Sequence, residues 1–597
     1  MTAADATEGA PARPTISPLL TAKVRAHLAF IYPREDCDTL TARVLEAFWP
    51  SEHRHQCRPM RRRLNAPVWS EKDCVLITYG NTLMDGENTP LTLLDDFLTH
   101  HVGELINSVH VLPFFPWTSD DGFAVVDYTK VNAELGSWDH LSRISGHHKL
   151  MADLVLNHVS SLHPWFVQYR QDQEPGRGYF IDADPAADLS QVVRPRPHPL
   201  LRRVETPSGE KHVWCTFSHD QVDLNFANPD LLIEFVRIIR LFLEQGVTII
   251  RLDAVAFIWK VIGTGCMHLP ETHEIVKLMR TLADYSREPM VLITETNVPN
   301  RENLSYFGNR NEAHAIYNFP LPPLSLHALI TGNASVLTKW QRRMPPAPAG
   351  CFYFNFTASH DGIGVRAAEG YLTDTELMGM ISAIRDVGGL VSMRAMPDGS
   401  VRPYEINVGL WDAMLAGPGG ETHRKARFLA SQTIMMALEG IPAFYIHSLL
   451  ATPNDTDRVE RTGHNRSINR HQWNYPELER LLEDGNSEQA QVFGEMMRRI
   501  SIRRRQSAFH PNATQMTLDF GSGIFAIWRQ SRDRTQSIFA LHSVSDREQV
   551  VPLDRINLIE NEPWVDLLSD EPVDEPRGEI VLAPYQSRWI SNILPER

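Results

Sequence analysis

A chain of 597 residues, 43% hydrophobic and 22% charged, has the make-up of a soluble globular protein with room for more than one domain. Its net charge of −15 excludes the basic face that nucleic-acid phosphates require, and no apolar run is long enough to span a bilayer. A small anionic substrate stays open, because a few local arginines suffice to hold one.

The opening "MTAADATEGAPARPTISPLL" lacks the basic-then-apolar order of a signal peptide, and residues 1–17 read as a disordered tail. Residues 18–70 read as a helical extension, with Leu40, Val44, Leu45 and Phe48 at helical spacing and a basic "RPMRRR" near its end. Within it, "HRHQC" (His53, His55, Cys57) has no evident fourth metal ligand and reads as a solvated loop. The six cysteines (Cys37, Cys57, Cys74, Cys215, Cys266, Cys351) are scattered, which suits reduced thiols in a cytoplasmic protein better than a disulfide framework.

Eight short apolar runs follow: 74–80, 106–117, 149–160, 247–257, 290–297, 314–319, 351–362 and 441–448. Helix-like segments separate most of them. Before the fourth run, Asn228 suits a helix cap, Pro229 the first turn and Gly246 the exit. Buried strands alternating with helices imply a parallel sheet, and eight of them imply a closed (β/α)8 TIM barrel in the α/β class. The expected barrel segments are 71–160, 226–362 and 421–500. Two stretches break the alternation, 161–225 after the third strand and 363–420 after the seventh. They read as inserted domains at the barrel mouth, because long connections in compact domains usually carry function. Residues 501–597, with "GIFAIWRQS", "SIFALHSVS" and "GEIVLAPYQSRWIS", read as a C-terminal antiparallel β domain.

The chemistry-bearing residues gather at strand ends. In "GVTIIRLDAVAFIWK" (246–260) a core strand carries Arg251 and Asp253, two positions apart and therefore on one face. The third run ends with Asp153, Asn157 and His158, the fifth with Glu295, and the seventh with His360 and Asp361. Carboxylates converging on a glycosidic bond supply a nucleophile and a general acid/base. A neighbouring arginine keeps one of them ionised, while desolvation keeps another protonated.

These stretches, "ADLVLNH", "IIRLDAVAF", "ITETN" and "ASHDG", resemble the four motif regions of the α-amylase family, glycoside hydrolase family 13, in order and at the right strand ends. The resemblance implies Asp253 as nucleophile, Glu295 as general acid/base and Asp361 as transition-state stabiliser. It places Arg251 beside Asp253, and His158 and His360 on the glucosyl unit. "PFFPWTSDDGFAVVDYTKVNAELGSW", "RPRP", "RPYEIN" and "SINRHQW" resemble the sucrose phosphorylase subfamily. There Asp120, Phe123 and Arg470 close the sugar pocket, while Arg196 and Tyr404, on two loops, serve phosphate and acceptor in turn.

"ITETNVPNRENLSYFG", "VVRPRPHPLL" and "MPDGSVRPYEIN" are similar to stretches of the glucosylglycerate phosphorylases in that subfamily. The activity so implied is reversible phosphorolysis of 2-O-α-glucosylglycerate to α-glucose 1-phosphate and D-glycerate through a β-glucosyl-enzyme. The implied partners are a sugar substrate and inorganic phosphate, with no cofactor or metal, no nucleic acid and no membrane, in a monomer or homodimer. Sucrose, sucrose 6-phosphate and glucosylglycerol phosphorylases stay open, as does a hydrolase or transglucosidase of the family. Glu405 stands where sucrose phosphorylases carry a glutamine. Beside an anionic acceptor its charge needs offsetting, and Arg402, Arg196, Arg194 and Arg202 are the expected cations. A non-catalytic relative of the transporter heavy-chain kind fits poorly, since all three acids are present.

Overall fold

The computed structural model describes residues 16–51, 69–196, 198–396, 400–556, 558, 563–573, 575 and 577–593. Eight parallel strands close into a barrel: β1 (Val75–Thr78), β2 (Ser108–Val111), β3 (Lys149–Val155), β4 (Val247–Asp253), β5 (Val291–Thr294), β6 (Ala315–Tyr317), β7 (Phe352–Asn355) and β8 (Ile441–Tyr445). Each falls inside one of the eight apolar runs. The strands are buried along nearly their whole length, which is why they read as continuous apolar runs without alternation. Ala443 of β8 pairs with Val75 of β1 and closes the ring.

The N-terminal extension forms α1 (Pro18–Ile31) and α2 (Cys37–Phe48). Asp36 caps α2 by accepting from the amides of Asp38 and Thr39. The apolar stripes Leu20, Val24, Leu28, Ile31 and Leu40, Val44, Leu45, Phe48 are buried against the barrel's outer helices α3 (Pro229–Glu244) and α4 (Pro270–Tyr285). At roughly 1.5–3 kcal/mol for each fully buried aliphatic side chain, these stripes make the extension part of the barrel wall. His53, His55, Cys57, "RPMRRR" and residues 1–15 of the expected tail lie outside the described residues.

α3 begins as its sequence suggests, with Pro229 in its first turn and the Asn228 side chain accepting from the Asp230 amide. Gly246, at φ 86°, turns the chain into β4, and a Cβ there would sit 2.5 Å from Ser145 Oγ. This glycine therefore sets how closely β4 enters beside the helix Trp138–Ser145.

Both insertions rise from strand C-termini. The first carries helix Pro164–Arg170, the hairpin Leu201–Thr206/Gly209–Trp214, and a short ladder of His158–Ser160 with Gln221–Asp223. The second carries helix Asp374–Asp386 and a three-stranded antiparallel sheet of Ile363–Gly364, Val401–Asn407 and Leu390–Ala395. Tyr404 therefore stands on a strand, where the sequence suggested a loop. The C-terminal region is a six-stranded sheet with its own apolar core, its first strand being Thr514–Leu518. The expected border at 501 cuts a helix. Glu488–Arg504 continues to 504 because Ile500, Ile502 and Arg503 stay buried against the barrel side. Among the described residues, no helix is long and apolar enough to cross a membrane.

Candidate active site

The register of β3 against β4 explains the charged core strand. Asp153 lies opposite Arg251, and Val155 opposite Asp253. Arg251 is 1% exposed, and its Nη1 donates to Asp153 Oδ1 at 2.5 Å and to Asp253 Oδ1 at 2.6 Å. Its Nη2 lies 3.9 Å from Glu295 Oε2, where the chain continues past β5. The rings of Phe123 and Tyr317 cover the guanidinium at 5.6 Å each. His110 Nε2 meets the second oxygen of Asp153 at 2.8 Å. Burial opposes ionisation of Asp153, but His110 and Arg251 overcome it and bring its carboxyl to about 2. Asp153 is thus a permanent anion that anchors Arg251 from below.

Burial pushes the carboxyls of Asp253 and Glu295 up, and the charge of Glu295 adds to the effect at Asp253. Arg251 opposes that rise at both, and it is at hydrogen-bond distance from Asp253 and beyond it from Glu295, so its charge favours the ionised form of Asp253 by the shorter contact.

Asp361 takes a different partner. Burial opposes its charge, yet Arg466, Arg251 and Arg470 hold its carboxyl below the usual range. Arg466 Nη1 is 2.5 Å from Asp361 Oδ1. The same guanidinium donates to both oxygens of Glu405, from Nε at 2.8 Å and Nη2 at 2.9 Å. Glu405 also accepts from Asn407 Nδ2 at 3.0 Å and is 2% exposed. This corrects the expected charge balance. Arg466 neutralises Glu405 directly, Arg196 adds only a longer-range effect, Arg202 is engaged with the His219 carbonyl, and Arg402 is exposed.

Aromatic rings and imidazoles make up much of the remaining wall. Phe123 stacks on His360 at 5.0 Å with 8° between the planes. Burial lowers His360 far below its ordinary value and brings His158 to about 4, so both imidazoles are neutral. His158 Nε2 lies 3.1 Å from the Phe123 carbonyl. Across the mouth, Arg196 sits 5.2 Å over the Tyr404 ring. The cavity, about 70 Å³, is lined by Asp253, Glu295 and Asp361 together with Asp120, Phe123, His158, Arg196, Arg251, His360 and Tyr404, but not by Arg470 or Glu405. Arg470 stands behind the wall, 3.8 Å from Asp120, and its short contact, 2.7 Å, is with Asp121. Glu405 stands behind Arg466.

Two further elements went unread in the sequence. Arg466 lies four residues before Arg470 in "NRSINR", and the short turn Asn465–Asn469 turns it inward. Lys260 is buried and reaches Asn157 Oδ1 at 2.6 Å and Asp223 Oδ2 at 2.7 Å. It ties the end of β3 to the first insertion directly beside His158. Arg366 also lines the cavity, and its buried Nε finds no partner among the described residues.

The family described as "Alpha amylase, catalytic domain" matches residues 101–361. A glucosylglycerate phosphorylase of Allomeiothermus silvanus is 42% identical over 96% of this chain and 99% of its own. The chain belongs to the α-amylase family, glycoside hydrolase family 13. A second relative in the family, the glucosylglycerate phosphorylase of Spirochaeta thermophila, is 42% identical over 87% of this chain and 90% of its own. The crystal structure of sucrose 6F-phosphate phosphorylase from Thermoanaerobacter thermosaccharolyticum superposes with a TM-score of 0.68 at 23% identity, over 86% of this chain and 98% of that one. That likeness shows a shared fold over most of both chains.

Proposed function

We propose that this enzyme is a retaining α-glucoside phosphorylase that interconverts 2-O-α-glucosylglycerate and phosphate with α-glucose 1-phosphate and D-glycerate. The observation that carries the choice is the 42% identity to a glucosylglycerate phosphorylase across 96% of the chain. The Asp253 carboxylate attacks the anomeric carbon while Glu295 gives its proton to the glycosidic oxygen, and D-glycerate leaves. Phosphate then attacks the β-glucosyl-enzyme. Glu295 takes the proton of the incoming phosphate hydroxyl, the ester to Asp253 breaks, and double inversion leaves the α-anomer. Asp361, held by Arg466, binds sugar hydroxyls and supports the flattened ring. The neutral His158 and His360 hydrogen-bond other hydroxyls, Phe123 packs on the sugar, and Asp120 closes the far end.

Glycerate and phosphate are both anions and enter by the same side. Arg196 and Arg366 stand there as donors, and Glu405 does not repel an anion because Arg466 neutralises it. A cytoplasmic location belongs with this reading, since inorganic phosphate and glucose 1-phosphate are charged species that a membrane retains.

Reverse phosphorolysis tests the acceptor. With α-glucose 1-phosphate as donor, phosphate release should be fastest with D-glycerate among D-glycerate, fructose, fructose 6-phosphate and glycerol. A strong preference for fructose overturns the acceptor while keeping the mechanism.

A further inference from the structure

Behind the wall that closes the sugar pocket lies a second cavity, of about 170 Å³, which shares no lining residue with the first. The partition between them is the pair Asp120–Asp121. Both residues hold a positive φ, at 55° and 47°, a conformation that aspartate adopts more readily than most side chains. The two consecutive carboxylates go to opposite sides. Asp120 lines the sugar pocket, and Asp121 lines the second cavity together with Arg470.

Two buried donors line this cavity without an acceptor among the described residues. They are the Tyr79 hydroxyl and Arg470 Nη2, on residues 8% and 4% exposed. Burial pushes the Tyr79 hydroxyl well above its ordinary value, so it stays a donor. Buried donors of this kind call for acceptor oxygens from outside the chain. The cavity is more than ten times the roughly 10–15 Å³ that a single water needs. Its charges cancel: Arg470 lies 2.7 Å and Arg458 3.7 Å from Asp121, and Glu134 supplies a second carboxylate. Trp117, 36% exposed, also lines it and brings an indole to the cavity.

We propose that this cavity is a second binding site, for a neutral monosaccharide. One face of the sugar ring lies on Trp117, and its hydroxyl oxygens accept from Tyr79 and Arg470. A net-neutral lining rejects phosphate and carboxylates as preferred ligands, and unmet donors beside an indole match a ring that carries hydroxyl oxygens. The site is separate from the catalytic pocket and does not depend on which acceptor that pocket uses.

Equilibrium dialysis of the full chain against radiolabelled D-glucose reads the number of sites. Two molecules per chain are expected. Tyr79→Phe and Trp117→Ala should each weaken one site about tenfold and leave the other unchanged, whereas Asp361→Asn should weaken only the remaining one. Glucose binding that is indifferent to both Tyr79→Phe and Trp117→Ala, whatever the number of sites, overturns the proposal. So does a glucose-soaked crystal with only water behind Arg470, or competition for that site by inorganic phosphate or D-glycerate. Phosphorolysis activity is read separately, so failure here is distinguishable from failure of the proposed reaction.

Discussion

Removing Arg466 should reveal how much the site depends on one guanidinium. Its Nη1 lies 2.5 Å from Asp361, and Nε and Nη2 donate to both oxygens of Glu405, a residue 2% exposed. Arg466→Ala leaves Glu405 a buried charge without its cation, and breaking such a pair costs about 3–5 kcal/mol. The pH dependence fixes the sign. Burial works against the Glu405 carboxylate, and Arg466 more than offsets it, so the folded pKa lies below the ordinary one. The stabilisation it brings is present above the ordinary carboxylate pKa and is lost as pH falls through the depressed folded value. Without Arg466 burial prevails and the pKa rises, so Glu405 takes up a proton in mild acid and the defect shrinks. Urea unfolding followed by tryptophan fluorescence should therefore show a larger loss at about pH 8 than at about pH 5.5. Adding Glu405→Gln should return about 1–3 kcal/mol at the higher pH, because the unpaired charge is gone. A loss below about 1 kcal/mol, or the same loss at both pH values, refutes the account of this network.

Three other outcomes follow from the same geometry. Asp253→Asn should lower turnover by at least about 10⁴-fold with the fold intact by circular dichroism; substantial residual turnover means that the nucleophile lies elsewhere. Glu295→Gln should lower kcat by about 10²–10⁴-fold for a poor leaving group. Burial raises the Glu295 pKa and the acid works protonated, so wild-type rate falls as pH rises through that value; the Gln variant should lose this basic limb, and its survival contradicts the assignment. Lys260→Met strands Asp223 in the interior and should cost about 3–5 kcal/mol, most of it restored by adding Asp223→Asn; a neutral Lys260→Met in thermal denaturation denies the tie between β3 and the first insertion.

The barrel was legible because its strands are buried on both faces, and burial leaves a compositional trace that eight runs repeat. The pairing of Arg251 with Asp253 was legible from strand alternation, which brings residues two apart to one face. The pairing of Glu405 with Arg466 was not, because a salt bridge spanning 61 positions leaves no local pattern. Arg470 was tied to the pocket, yet which face of the wall it occupies depends on two left-handed aspartates that composition does not reveal. Lys260 ends a stretch that was read for its charges, but its partners are Asn157, just past β3, and Asp223, across the insertion. The helix Glu488–Arg504 running past 501 was hidden for a related reason: a helix continues as long as it has something to pack against, and that surface belongs to distant elements.

The most direct measurement is product analysis on 2-O-α-glucosylglycerate with and without inorganic phosphate. The account predicts D-glycerate and α-glucose 1-phosphate in equal amounts, the α-anomer confirmed by proton NMR, and almost no cleavage when phosphate is left out. Free glucose released at the same rate in both reactions, or β-glucose 1-phosphate as the product, would contradict it.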